Sequence, residues 1–253
     1  MLTSSSNPKI KFVRALAKKQ TRQEKKQFAV EGVRLIEEAL GARLVPALAF
    51  YTASARGDRR VRILLEKIGA LTREVYEVSD AVMREMSETE TPQGILAVVP
   101  FPQIPELKRP SFILILDSIR DPGNLGAILR SARAAGVDTI LLAPGTVDPY
   151  NDKVVRAAMG AHFSVSLRSE PWEKIAQKIQ GVPRVYLADA QGRIAYDAAD
   201  WRKPVALIVG GEAEGASEAA KTIATARVRI PMRGGESLNA AMAATLLMFV
   251  AIR

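Results

Sequence analysis

The chain of 253 residues contains no cysteine and one histidine, His162. Without thiols there is no disulfide framework, no thiolate metal site and no cysteine nucleophile. Reactions that pass through a covalent thiol adduct on a substrate base are excluded with them. A single imidazole leaves too little material for a histidine-rich metal centre or for a conventional Ser-His-Asp triad away from residue 162, so no metal is expected. In GAHFSV the histidine follows a glycine and precedes an apolar run, which reads as structural. No RGG tract, zinc finger or aromatic RNP motif occurs. The first twenty residues lack the apolar core of a signal peptide. The longest apolar stretch, near the C-terminus, is interrupted by Asn239 and Thr245, so a membrane span is not expected. The expected compartment is the cytoplasm.

What is present is an ordinary globular composition, 48% apolar and 25% charged, with a net charge of +9. The excess is uneven. Residues 1–27 hold Lys9, Lys11, Arg14, Lys18, Lys19, Arg22, Lys25 and Lys26 against one acid, Glu24. Such a segment attracts a polyanion, nucleic acid foremost; a solvated helix face with no partner is the plainer alternative.

Four prolines (Pro100, Pro102, Pro105 and Pro110) fall in PFPQIPELKRP and mark a domain boundary, with domains 1–104 and 105–253. Before it, FAVEGVRLIEEAL carries a helical stripe of Val33, Leu35, Ile36 and Leu40. LAFYT (48–52), EVYEVS (74–79) and GILAVVP (94–100) read as strands and VRILLEKIGA (61–70) as a helix: a small α/β domain. After it, strands are expected at 112–117, 139–143, 163–167, 184–189, 205–210 and 227–231. Helices are expected at 124–135, 151–159, 171–180, 217–224 and 237–252. This alternation predicts a mostly parallel sheet with helices on both faces.

Three stretches combine turns with polar residues. In DPGNLGAILRSARAAG (121–136), Asn124 reads as the helix cap, Leu125, Ile128, Leu129, Ala132 and Ala135 as the buried stripe, and Gly136 as a left-handed terminator. Arg130 and Arg133 then sit beyond the carboxyl end of a strand, where open α/β sheets bind ligands; a capped helix with surface arginines fits equally. In ALIVGGEAEGAS (206–217) a strand runs into Gly210, Gly211 and Glu212. That turn is neither a dinucleotide fingerprint nor a phosphate-binding Walker loop. In RIPMRGGESLNAAMAATLLMFVAIR (229–253), Ser237, Leu238 and Asn239 open a helix apolar nearly all round, which calls for burial, a subunit interface included.

Together and in this order, the three stretches resemble the signature motifs of the SpoU (TrmH-like) RNA ribose 2′-O-methyltransferases of the SPOUT superfamily. NPKIKFVRAL, FAVEGVRLIEEAL and ETETPQGILAVV are similar to that family's substrate-binding extension, so nearly the whole chain is covered. Asp121 stands where the family opens its first motif with Asn, and FVAIR lacks the acidic residue common in the terminal helix. The resemblance implies an α/β sheet with a C-terminal trefoil knot, which connection rules alone would argue against. It implies S-adenosyl-L-methionine as cofactor, held around Ala188, Gly210, Gly211, Ile230, Met232 and Leu238. It implies Arg130 as base or electrostatic activator, with Asn124, Glu212, Ser237 and Asn239 positioning the reactants. RNA contacts would come from Lys9, Lys11, Arg14, Lys18, Lys19, Arg22, Arg130 and Arg133. A homodimer is implied, and ribosomal RNA is favoured over tRNA because the extension is similar to that of rRNA-acting members. A tRNA substrate, or a knotted RNA-binding protein without turnover, are the alternatives.

Overall fold

The computed structural model describes residues 1–211, 215–234 and 238–253. Two expected site residues, Glu212 and Ser237, lie outside the described residues. In chain order come α1 (Pro8–Ala15), α2 (Lys19–Lys25), β1 (Gln27–Glu31), α3 (Val33–Gly41), β2 (Leu48–Thr52), α4 (Ala53–Arg56), α5 (Arg59–Leu71), β3 (Val75–Val78), α6 (Asp80–Met86) and β4 (Ile95–Pro100). They are followed by β5 (Phe112–Asp117), α7 (Pro122–Ala134), β6 (Thr139–Leu142), α8 (Asp152–Ala158), a 3₁₀ turn (Ala161–Phe163), β7 (Ser166–Ser169), α9 (Trp172–Lys178) and β8 (Arg184–Ala188). The chain closes with β9 (Ile194–Ala195), β10 (Val205–Gly210), α10 (Glu218–Ile223), β11 (Ala226–Arg229) and α11 (Ala240–Val250). Among the described residues no helix is long and apolar enough to cross a membrane.

Two compact units result: residues 1–103 with 150–163, and residues 104–149 with 164–253. The first is built on a four-stranded sheet of order β1-β4-β2-β3, in which only β2 and β3 run parallel. The helical reading of FAVEGVRLIEEAL divides here. FAVE is strand β1, and Gly32, at φ 93°, turns the chain into α3. Segment 150–163, expected from the sequence in the second domain, belongs to the core of the first. Val155 and Phe163 pack with Phe28, Val30, Ile36 and Phe101, and the Tyr150 ring stacks on Phe101 at 3.8 Å. Phe163 was expected to open a strand. It ends the 3₁₀ turn instead, because Gly160, at φ 87°, redirects the chain, and β7 starts three residues later.

The second unit is a seven-stranded parallel sheet of order β7-β6-β5-β10-β8-β11-β9. Ile113 and Ile115 of β5 face a cluster with Ile175 and Ile179 of the α9 segment and Ala220 of α10. Alternation sends Phe112, Leu114 and Leu116 to the opposite face, all fully buried. α7 and α11 pack against one another, joined by the Ser131–Thr245 hydroxyl pair at 2.8 Å. One Asp138 oxygen starts β5: Oδ2 accepts from Ser111 N–H (2.7 Å), Ser111 Oγ (2.8 Å) and Phe112 N–H (2.9 Å).

Candidate active site

Strand order in the second unit changes direction at β5. The chain moves outward through β6 and β7, then returns to the other side through β8 and β10. Parallel α/β sheets bind ligands outside the carboxyl ends of the strands at such a point. Here the carboxyl ends of β8, β10 and β11, to one side of β5, carry a pocket of about 520 Å³. All six residues expected around the cofactor, Ala188, Gly210, Gly211, Ile230, Met232 and Leu238, line it. Val209, Ala243 and Leu247 extend its apolar wall, while Asp189, Gln191, Lys221 and Arg227 bring polar groups.

The glycines at its mouth are dictated by packing. A Cβ on Gly210 would lie 2.7 Å from the Ala216 nitrogen, and one on Gly211 would lie 2.6 Å from the Ser118 carbonyl oxygen. Backbone meets backbone at both positions, so neither neighbour can yield. Gly215, at φ 66°, returns the chain, and its N–H donates to the Gly211 carbonyl at 3.1 Å.

Asp117, the carboxylate that ends the apolar run of β5, is 1% exposed and accepts from the Ser217 N–H at 2.6 Å. Ser217 caps α10, so Asp117 ties the start of that helix to the end of β5. Sequence reasoning passed over it, although an acid closing FILIL was the available signal. It also passed over Asp189 and Gln191. Asp189 Oδ1 accepts from Gln191 N–H at 2.9 Å, and Oδ2 lies 3.3 Å from Arg227. The polar turn after an apolar strand, ADAQG, was the clue.

The first motif differs from its sequence reading in one respect. Asp121, not Asn124, caps α7: its Oδ1 accepts from the Asn124 N–H at 2.7 Å, and Pro122 occupies the first helical position. That releases the Asn124 side chain, whose Oδ1 accepts from Nδ2 of Asn239 at 3.0 Å. Asn239 in turn caps α11, accepting from the N–H groups of Ala241 (2.9 Å) and Met242 (3.2 Å). The helix expected from 237 therefore begins at Ala240. Two residues 115 positions apart are thus joined at the pocket wall that Asn239 shares.

Arg130 is exposed and has no hydrogen-bond or ion-pair partner among the described residues. Six residues beyond Asn124, it points roughly 120° away around the helix axis. Arg133 is exposed as well.

In the basic N-terminal segment the structure separates two groups. Arg22 is 4% exposed and donates to the carbonyls of Leu16 (2.6 Å) and Ala17 (2.8 Å), so its charge closes a turn and is withdrawn from the surface. This corrects its reading as an RNA contact. Lys9 pairs with Glu74 at 2.6 Å and lies over the Tyr76 ring; the Glu74 hydrogen bond, then Tyr76, hold its ammonium above the usual range. Arg14 reaches Glu85 at 3.3 Å. Lys11, Lys18 and Lys19 are exposed and without partners among the described residues. His162, 1% exposed, packs among Phe28 and Tyr150 in the first unit.

Comparison with known proteins gives two family matches: the SpoU rRNA Methylase family over residues 111–249, and the MRM3-like substrate binding domain over residues 7–97. The chain is 34% identical over 251 residues to the 23S rRNA (guanosine(2553)-2′-O)-methyltransferase RlmP of Bacillus subtilis, covering 98% of this chain and 97% of that protein. It is 32% identical over 242 residues to the 23S rRNA (uridine(2479)-2′-O)-methyltransferase of Streptomyces viridochromogenes, covering 90% and 83%. Among solved structures, the AdoMet-bound rRNA methyltransferase from Sinorhizobium meliloti superposes with a TM-score of 0.88 at 31% identity, over 99% of this chain and 96% of that one.

Proposed function

The chain belongs to the SpoU rRNA methylase family, and from that premise we propose that it transfers a methyl group from S-adenosylmethionine to a ribose 2′-hydroxyl of ribosomal RNA. The observation that carries this reading is the pocket at the carboxyl ends of β8, β10 and β11, where six residues from three separate stretches meet. Its 520 Å³ lies within the ~300–1,000 Å³ of small-molecule sites, and its walls are apolar with backbone groups exposed by glycine, which suits an adenosyl group. Ala188, Gly210, Gly211, Ile230, Met232 and Leu238 would hold the cofactor. When bound, it supplies a methyl group on a sulfonium, an activated donor with a good leaving group.

The chain's own residues have two tasks: to align the ribose hydroxyl and to favour loss of its proton. The Asn124–Asn239 pair fixes two carboxamides between the starts of α7 and α11. Arg130 has an exposed guanidinium, a fork of N–H donors with no acceptor to offer, so it serves as a phosphate ligand that stabilises the developing alkoxide rather than as the base. Glu212 and Ser237 complete the set that the resemblance implies. The two named relatives act on a guanosine and a uridine, which fits a core that reads ribose and leaves the base to other contacts.

In the same reading the first unit binds RNA through Lys11, Lys18, Lys19 and neighbouring cations, and the protein works in the cytoplasm as a knotted homodimer. The apolar outer side of α11 supports the dimer: Met242 is 67% and Phe249 43% exposed on a helix whose other side is buried.

The test is methyl transfer from labelled S-adenosylmethionine to unmodified ribosomal RNA and tRNA, followed by digestion to nucleosides. Label is expected in a 2′-O-methylnucleoside from ribosomal RNA. Arg130→Ala lowers kcat/KM by about 10²–10³-fold, the scale of one lost transition-state donor. Label on a base, or undiminished transfer by the variant, contradicts the mechanism.

A further inference from the structure

The first unit carries its own concavity, of about 190 Å³, lined by Ser54, Asp80, Met83, Arg84, Pro92 and Gln93 among others. Its walls are held from behind. Glu31, 9% exposed, accepts from the Ser87 hydroxyl (2.6 Å), the Thr89 hydroxyl (3.2 Å) and the Gln93 N–H (2.9 Å), so one carboxylate ties down segment 87–93. Gly94, at φ 72°, presses that segment against β2 and α4; a Cβ there would lie 2.7 Å from both Thr52 Oγ1 and Ala55 Cβ. A pocket so fixed costs little ordering when it is filled.

Its chemistry is mixed. Met83, 1% exposed, gives an apolar floor. Asp80, an exposed residue of the lining, accepts through Oδ1 from the Ser54 hydroxyl at 3.2 Å. Arg84, one turn later on α6, has no ion-pair partner among the described residues. Arg56, 3.8 Å from Glu77 and over the Tyr51 ring at 5.8 Å, and Arg59 follow the lining residues of α4 within a few positions. The volume falls below the ~300 Å³ at which cofactor pockets begin, which suits one ring system.

We infer that this pocket receives a single unpaired RNA base, with Asp80 accepting from N–H donors on its Watson–Crick edge and Arg84 gripping the flanking phosphate. The inference rests on the reading of the substrate as RNA. Single-stranded RNA is read through splayed bases hydrogen-bonded on that edge and seated on side chains. A carboxylate selects among them: guanine presents adjacent N–H donors, whereas uracil flanks its one N–H with two carbonyls that repel an acid.

The experiment compares wild type, Asp80→Asn and Arg84→Ala on one unmodified 23S-type rRNA transcript. Filter binding across a salt series and steady-state methyl transfer are measured together. Asp80→Asn weakens RNA binding about tenfold with an unchanged salt slope, the size of one lost base contact. Arg84→Ala lowers the salt slope by about one. In both variants the KM for RNA rises, while kcat and S-adenosylmethionine affinity stay at wild-type values. Ultraviolet cross-linking of the wild-type protein gives a reading independent of substitution, with an RNA adduct expected on residues 80–94. Wild-type affinity and salt slope in both variants, or adducts only elsewhere, overturn the inference and leave the activity standing. Dependence of binding on Asp80 and Arg84 without methyl transfer overturns the activity and leaves the subsite standing. No RNA binding by wild type overturns both.

Discussion

At the residue scale, single polar side chains decide where elements begin. Asp138 draws three hydrogen bonds onto one oxygen at the entrance to β5. Burial opposes ionisation there, but the bonds from Phe112 N–H, the Ser111 hydroxyl and Ser111 N–H together outweigh it and hold the carboxyl below the usual aspartate range. A depressed carboxylate contributes stability that is present above its unfolded pKa, ~3.9, and is lost as pH falls through the lower folded value. Asp138→Ala should therefore cost roughly 1–2 kcal/mol at neutral pH, with the difference from wild type shrinking below about pH 4. Urea unfolding at a series of pH values measures both. The same economy links Asp121, Asn124 and Asn239. A short carboxylate takes the capping role on α7, and the carboxamide thereby freed reaches α11.

At the element scale, the pocket depends on turns too tight for any side chain. Gly210 ends β10 with the backbone of Gly215 and Ala216 folded against it. Gly210→Ala forces apart two backbone segments, and a destabilisation of roughly 1–3 kcal/mol follows. Because the same turn forms one wall of the pocket, S-adenosylmethionine binding, followed by calorimetry, should weaken beyond what the stability loss explains. Alanine at Gly181, whose Cβ would meet nothing within 4 Å, leaves cofactor affinity unchanged, although its φ of 83° carries a backbone cost.

At the scale of the whole molecule, the units part within the proline run, at residue 103, but a later segment, 150–163, returns to the first of them. Phe28 and Phe101 share a core with Tyr150, Val155 and Phe163. A fragment ending at residue 103 would expose that apolar surface. It should aggregate or bind hydrophobic dye, whereas the same fragment with residues 150–163 attached through a flexible linker should show cooperative unfolding by circular dichroism. The exposed side of α11 carries the other molecular-scale prediction. Sedimentation at micromolar concentration should give twice the 27.5 kDa chain mass, and Met242→Lys should return it to one. A charge placed at the centre of an apolar contact cannot be desolvated cheaply.

Much of the second unit was legible in local pattern. The apolar runs of β5, β6, β8 and β10 are continuous because a parallel sheet is covered on both faces, and the stripe of α7 follows its period, so both could be read from neighbours in the chain. The ordered motifs identified the family because their residues keep their spacing. The small unit was less legible: FAVE is too short for its alternation to stand out beside the helical stripe that follows it.

By itself, then, the sequence determined the alternation of strands and helices, the absence of thiol chemistry and the basic character of the N-terminal segment, and its motifs pointed to six of the residues that line the pocket. Tertiary structure alone decided that Asp121 rather than Asn124 caps α7, that Arg22 donates to two carbonyls, that Asn124 meets Asn239 and that segment 150–163 completes the first core. The physical reason is common to all four. Each depends on a hydrogen bond or a packed ring whose geometry is set when distant segments meet or a turn closes, and composition and periodicity carry no record of that geometry.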